Sequence, residues 1–262
     1  MAEKVGKDYW ERIWQPAELP RPVEPQRDTL RNHSYYEIHR ALSRLVPALP
    51  GARLIEFGCA QSSWLSYFAK HAAMRVAGID YAPRGCEKAA AVLARDGVDG
   101  EIVQADFMAP PDRLLEAFDV GISFGVAEHF EDTAECLAAF RRFLRPGGTL
   151  VTVIPNMAGL AGTLQRWLDR EVYDIHVVLD APALAEAHRR AGLIDVRSEY
   201  LVCSNFGMVT LGAGRSPVKR LLRLGLMGVS YALWFVDRSI LRVPATRWLS
   251  PYIICAARLP SA

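Results

Sequence analysis

Short apolar runs alternate with longer amphipathic stretches through the middle of the chain. The runs predict strands at residues 53–57, 75–80, 101–104, 118–123 and 149–155. The amphipathic stretches predict helices near residues 63–70, 83–95, 133–144 and 182–191. Pro83 in a first helical turn and Gly147 just after Leu144 are typical of helix ends. Because nearly continuous apolar strands are usually covered on both faces, we predict an α/β fold with a mainly parallel, doubly wound sheet.

The pattern divides the chain into three parts. Residues 51–204 together with 251–262 form the predicted core. Within it we predict a sixth strand at 195–203 and a final strand at 252–258. Residues 1–50 form an N-terminal lid or arm, with short helices near 8–14 and 33–46. A proline-rich link with Pro16, Pro20, Pro22 and Pro25 interrupts it, and we expect its aromatic residues Tyr9, Trp10 and Trp14 to dock on the core.

Residues 205–250 form a predicted helical insertion before the last strand. Its apolar run, LGLMGVSYALWFV at 224–236, has 13 residues and is flanked on both sides by basic side chains. A spanning helix needs about 20 apolar residues, so this run is too short. The insertion is expected to be a wall of the acceptor site, a subunit contact or an interfacial membrane helix.

Composition narrows the setting of the protein. A length of 262 residues suits one α/β domain with additions, and a formal net charge of +2 predicts no strong attraction to nucleic acid. The five cysteines are scattered without a C-x-x-C pair, as reduced and mostly buried thiols would be. The first residues, MAEKVGKDYWERIW, contain no apolar signal stretch. We therefore expect a cytoplasmic protein.

The most informative segment is LIEFGCAQSS at residues 54–63, followed by Asp80 at the end of the next strand. A tight turn of small residues lets a ligand approach backbone N–H groups, and a carboxylate one strand later is suited to ribose hydroxyls. Glu56 stands just before the turn. A carboxylate there would repel a dinucleotide pyrophosphate, whereas it would favour the ammonium and sulfonium groups of S-adenosylmethionine (SAM).

The later segments EIVQADF, FDVGISFGVAEHF, FLRPGG and TLVTVIP complete an ordered set. With them the chain resembles class I SAM-dependent methyltransferases over about residues 51–203, with 252–258 as the last strand. The resemblance implies a Rossmann-like sheet of seven strands with an antiparallel final strand, and SAM as cofactor. It also implies the cofactor-binding residues. Glu56, Gly58 and Ala60 would face the methionine end, Asp80 the ribose and Tyr81, Asp106 and Phe107 the adenine. Ala60 and Ser62 stand where the family usually has glycine.

The acceptor end is predicted on the loop after the fourth strand, which carries Glu128 and His129. His129 is a candidate general base, with a structural role as the alternative. The pair is similar to the Glu-x-x-Glu-His metal motif of ubiquinone-type O-methyltransferases and small-RNA 2′-O-methyltransferases, where a later histidine contributes and His176 occupies a comparable place. Gly125 replaces the first glutamate. We therefore take Glu128, His129 and His176 as catalytic candidates and assign no metal ligand, although a weak metal site remains an alternative.

These features lead to one functional hypothesis with alternatives. We expect SAM-dependent methyl transfer to a small hydrophobic or aromatic molecule, with oxygen as the favoured acceptor atom. Methylation of a lipid or isoprenoid at a membrane surface, and N- or C-methylation of a small metabolite, are the alternatives among enzymes. A SAM-binding partner subunit without activity is the alternative from another class. The expected partner is the small-molecule acceptor, with no nucleic acid. Peripheral membrane contact and a homodimer are left open.

Overall fold

A seven-stranded sheet forms the centre of the computed structural model, which describes residues 3–14, 18–27, 29–47, 49–212, 214 and 216–261. Pro16 of the proline-rich link lies outside these residues. The spatial order of the strands is β3-β2-β1-β4-β5-β7-β6, and β7 runs in the direction opposite to the other six strands. The strands are β1 (Arg53–Phe57), β2 (Arg75–Asp80), β3 (Gly100–Gln104), β4 (Phe118–Phe124), β5 (Leu144–Pro155), β6 (Ile194–Leu201) and β7 (Tyr252–Arg258). The predicted fold is therefore confirmed.

Helices cover both faces of the sheet. They are α1 (Lys7–Ile13), α2 (His33–Leu45), α3 (Trp64–Ala72), α4 (Pro83–Asp96), α5 (Thr133–Arg141), α6 (Leu160–Leu168), α7 (Arg170–Asp174), α8 (Ala181–Arg190) and α9 (Pro217–Ser239). Successive strand side chains point to opposite faces. Leu54 accordingly packs in the apolar cluster that includes residues of α2, α3 and α4, and Ile55 in the cluster that includes residues of α5 and α8.

One predicted boundary is wrong. The helix expected at residues 133–144 ends at Arg141, and Gly147 does not terminate it. Leu144 instead begins β5 and pairs with Phe118 of β4, while Gly147, with a φ of +78°, donates its N–H to the carbonyl of Leu259 at 3.1 Å. Phe143 and Leu144 are completely buried. The sheet therefore takes up two apolar residues that would otherwise have extended the helical pattern.

The insertion between β6 and β7 contains the long helix α9, which packs beside α6. Leu226 and Leu233 of α9 share an apolar cluster with Leu164 and Leu168 of α6. The indole of Trp234 donates a hydrogen bond of 2.6 Å to the carbonyl of Ser204 and so ties α9 to the end of β6. Within the described part of the chain, no helix is both long and apolar enough to cross a membrane.

The strand order determines where a ligand is expected. From β1 the chain proceeds outward to β2 and β3, and from β4 it proceeds outward on the other side to β5. In open α/β sheets, ligands bind at the carboxyl ends of the strands where the order reverses. The residues that follow β1, β2, β3 and β4 therefore meet at one edge, and all the predicted cofactor residues lie there.

Candidate functional site

The turn after β1 forms one wall of this edge. Gly58 has a φ of +65°, which is favourable only for glycine, and its N–H donates to the carbonyl of Ile79 at 2.9 Å. A Cβ at Gly58 would lie 2.5 Å from Cγ2 of Val126. Ser62 receives the N–H of Trp64 at 3.0 Å at the start of α3. The glycine thus allows the loops after β1 and β4 to approach closely.

Asp80 at the end of β2 holds this turn in place. Its Oδ2 accepts the N–H of Ala60 at 3.2 Å, and its Oδ1 accepts the N–H of Ala82 at 2.8 Å. Burial raises the pKa of this carboxyl, while the two backbone hydrogen bonds oppose that shift. Gly85 of α4 lies against the pair, since a Cβ there would be 2.7 Å from Cβ of Ala60 and 3.3 Å from Cγ of Asp80. The carboxylate is therefore fixed at the position where a ribose is expected.

Glu56 lies in β1, below the turn. The side chain is buried, and its Oε2 has no hydrogen-bond partner among the described residues. Burial raises the pKa of Glu56 to about 8. A hydrogen bond with Ser62 opposes that shift. A buried carboxylate with an unpartnered oxygen is costly, and a cationic ligand group would relieve that cost. The ammonium of the SAM methionine end fits this requirement.

A cavity lies above these residues, with about 620 Å³ of empty space when its open mouth is included. The predicted residues that line it are Gly58, Ala60, Asp80, Tyr81, Phe107 and His129. Asp106 does not line it: this side chain is exposed and accepts the N–H of Met108 at 2.8 Å. Glu56, Glu128 and His176 also lie outside the lining.

The N-terminal arm contributes residues that were not predicted as part of the site. Trp10 and Trp14 line the cavity, and so does Glu3, for which the sequence offered no signal. Oε1 of Glu3 accepts hydrogen bonds from the hydroxyl of Tyr81 at 2.8 Å and the indole of Trp10 at 3.1 Å. Glu3 also forms an isolated antiparallel bridge with Phe130. The arm therefore covers the cavity and fixes the Tyr81 ring.

The loop after β4 brings Glu128, His129 and His176 together. Nδ1 of His129 lies 2.9 Å from the carbonyl of Ile175, and Nδ1 of His176 lies 2.6 Å from the carbonyl of Val172. Since a carbonyl only accepts, both Nδ1 atoms carry the proton and both Nε2 atoms keep a free lone pair. The centroids of the two imidazole rings are 4.7 Å apart. Two unprotonated nitrogens therefore lie near each other beside the cavity.

The carboxylate of Glu128 completes this cluster. Its Oε1 is 3.9 Å from Nε2 of His129, which is too long for a hydrogen bond, and neither oxygen has a partner among the described residues. Burial raises the pKa of Glu128 to about 8, whereas burial and the neighbouring His176 lower the pKa of His129 to about 4. One ligand atom from each of the three residues lies within 4.8 Å of the others. These three residues could together bind a divalent cation, or His129 could act alone as a proton acceptor.

Comparison with known proteins identifies the family of this chain. The sequence model of a family described as "Methyltransferase domain" matches residues 30–198. Ubiquinone biosynthesis O-methyltransferase of Cereibacter sphaeroides is 30% identical over 176 residues, which cover 63% of this chain and 69% of that protein. The chain therefore belongs to the methyltransferase-domain family and is a class I SAM-dependent methyltransferase.

Solved structures share the fold at low sequence identity. Geranyl diphosphate C-methyltransferase of Streptomyces coelicolor, in complex with Mg²⁺, geranyl diphosphate and S-adenosylhomocysteine, superposes with a TM-score of 0.60 at 13% identity, covering 96% of this chain and 97% of that one. Phosphoethanolamine N-methyltransferase 2 of Haemonchus contortus, in complex with SAM, gives a TM-score of 0.57 at 16% identity over 84% of this chain and 51% of that one. As a member of the SAM-dependent methyltransferases, the chain uses SAM as its cofactor.

Proposed function

We propose that the protein transfers the methyl group of SAM to an oxygen atom of a small hydrophobic or aromatic acceptor. The observation that carries this proposal is the position of His129. This residue lines the cavity, and its Nε2 is unprotonated. Aromatic side chains surround it, since Trp10, Phe124 and Phe130 line the same cavity. An apolar, aromatic wall next to a proton acceptor suits a hydroxyl on a hydrophobic ring.

The proposed cofactor site follows from the turn. Asp80 would hold the ribose hydroxyls, Tyr81 and Phe107 would pack beside the adenine, and Glu56 would face the ammonium group. When bound, SAM supplies an electrophilic methyl group on a sulfonium. The protein's own contribution is to align the acceptor oxygen with that methyl group and to exclude water, which the arm over the cavity supports.

The pKa of His129 limits the class of acceptor. Its lowered pKa, about 4, keeps the imidazole neutral at physiological pH, but it also makes the ring a weak base. A weak base is suited to a hydroxyl that is itself acidic, such as a phenol with a pKa of about 10, and not to an aliphatic alcohol. We therefore favour a phenolic or catechol-like acceptor, whose proton would pass to Nε2 of His129 as the new bond forms.

A second arrangement is favoured by the bare carboxylate of Glu128. Together with His129 and His176 it would hold a divalent cation, and two imidazoles with one carboxylate suit Zn²⁺ better than Mg²⁺. Bound there, the cation would lower the pKa of a coordinated acceptor hydroxyl. His129 and His176 would then act as ligands, with each Nδ1–H anchored by its backbone carbonyl.

A turnover assay tests the proposal. Purified protein with SAM is offered phenols, aliphatic alcohols and amines, and we expect phenols to be methylated fastest. His129→Gln should lower that turnover about a hundredfold with unchanged SAM affinity. His71→Gln changes an exposed histidine in the last turn of α3, outside the cavity lining, and should not lower turnover. A chelator that abolishes activity, with Zn²⁺ restoring it and His176→Gln reproducing the loss, selects the metal arrangement. Methylation of amines alone would contradict O-methylation.

A further inference from the structure

The outward face of α9 has no charged residue. Ser230, Trp234 and Asp237 are buried on the inner side of this helix. At 3.6 residues per turn, positions 218, 221, 225, 228, 232, 235 and 239 share the opposite side. They hold one valine, one leucine, one phenylalanine, one alanine, two glycines and one serine. Val218, Leu221 and Phe235 are 55 to 75% exposed. A helix at the surface of a protein usually carries polar residues on this side, so this face is suited to a non-aqueous partner.

Positive charge is concentrated in the same segment. Residues 205–250 contain seven lysines or arginines and one aspartate, a formal charge of +6 in a chain whose total is +2. The aspartate, Asp237, is buried and bonded to Arg242 and to the N–H of Val243. Arg220 is exposed and lies beside the apolar face, and no acidic partner of it is found among the described residues. Arg223, seven residues before Ser230, lies on the inner side of the helix and does not flank that face. The exposed apolar face is therefore flanked by the positive charge of Arg220.

The elements that pack beside α9 also expose large apolar side chains. Trp167, on α6, is 84% exposed, and Trp248, which precedes β7, is 65% exposed. Ile240 and Leu241, directly after the helix, are mostly exposed as well. Tryptophan is enriched at the boundary between lipid and water, where its apolar ring and its polar N–H are both accommodated. The exposed tryptophans near α9 are therefore of the residue type that is enriched at a membrane surface.

We infer that α9 docks flat on an anionic lipid bilayer, with its outward face among the acyl chains and Arg220 at the lipid phosphates. The combination of an exposed apolar stripe with flanking basic residues is what interfacial helices require. A second copy of the chain fits the surface less well, because it would bring two basic segments together. This inference concerns the docking surface and does not depend on the identity of the acceptor.

Co-sedimentation with vesicles tests the inference. The full-length purified protein is mixed with vesicles of phosphatidylcholine alone, or of equal parts phosphatidylcholine and phosphatidylglycerol. We expect binding to the anionic vesicles only, weakening steeply as salt is raised from about 0.05 M to about 0.5 M because exposed charges are screened. Absence of binding to the anionic vesicles would overturn the inference.

Paired variants separate the two contributions. Leu221→Gln should lower partitioning about tenfold by removing an apolar anchor, and Arg220→Gln about fivefold by removing a charge beside the apolar face. The matched controls Ile194→Gln and Arg189→Gln change exposed residues away from α9 and should bind as the wild type. All variants should keep the wild-type melting temperature and SAM affinity. Equal binding by variants and controls, or self-association lost in Leu221→Gln without vesicle binding, would overturn the inference.

Discussion

Asp80 offers the most direct test of the cofactor site. Asp80→Ala removes the carboxylate that we propose for the ribose hydroxyls, and it also removes the acceptor of the Ala60 and Ala82 N–H groups. A charge-assisted hydrogen bond contributes about 1.5–3 kcal/mol, and about 1.4 kcal/mol corresponds to a factor of ten. Losing even one such bond should weaken SAM binding at least about tenfold. The freed N–H groups should lower the free energy of unfolding by about 1–3 kcal/mol.

Isothermal titration calorimetry with SAM measures the first effect, and urea denaturation measures the second. Asp119→Ala is the matched control, because Asp119 also accepts a backbone N–H, that of Arg53 at 2.8 Å, but at the amino ends of the strands, away from the cavity. It should lower stability without changing SAM affinity. Wild-type affinity in a folded Asp80→Ala protein would refute the assignment of the ribose site.

Two further predictions concern packing and pH. Gly85→Ala should weaken SAM binding about tenfold in calorimetry, because the new Cβ would push against Ala60 and Asp80; Gly225→Ala, which meets open space on α9, is the control, and equal affinities would contradict the argument. Burial lowers the pKa of His188 to about 4, below the value of about 6.5 in the unfolded chain. Because the unfolded chain therefore binds a proton first, the free energy of unfolding is unaffected by this group above pH 6.5 and decreases as the pH falls towards 4. Urea denaturation at pH 7 and at pH 5 measures how much the free energy of unfolding decreases between the two values. In His188→Gln this decrease should be smaller than in the wild type by about 2 kcal/mol, and an equal decrease would show that His188 is not responsible.

The local pattern of the chain was enough to predict most of the fold. The apolar runs at β1, β2 and β4 are short, nearly continuous and bounded by turns, and so they identified buried parallel strands with accurate bounds. The error at residues 142–144 occurred where one apolar sequence suits a helix and a strand equally. The pairing of Leu144 with Phe118 resolved that ambiguity, and such a pairing is a long-range contact that no local pattern contains.

The candidate site divides in the same way. Asp80 and the turn at Gly58 were recognisable because a strand, a tight turn and a carboxylate follow one another at short spacing. Glu3 was not, since its contact with Tyr81 joins positions 78 residues apart and rests on an arm whose path the sequence leaves open. Asp106 was predicted beside the adenine, and the structure places it at the surface, outside the cavity lining, so that assignment stays a prediction.

The sequence by itself determined the class of this protein. Its alternation of strands and helices and its two carboxylates at successive strand ends are local features, and local features are written directly in the order of the residues. Only the tertiary structure decided the protonation of the two imidazoles and the exposure of the α9 face. Both depend on which groups come to lie nearby: the carbonyls of Ile175 and Val172 fix the protons of His129 and His176, and the packing of α6 against one side of α9 leaves the other side uncovered. Folding creates these neighbours, and spacing along the chain does not specify them.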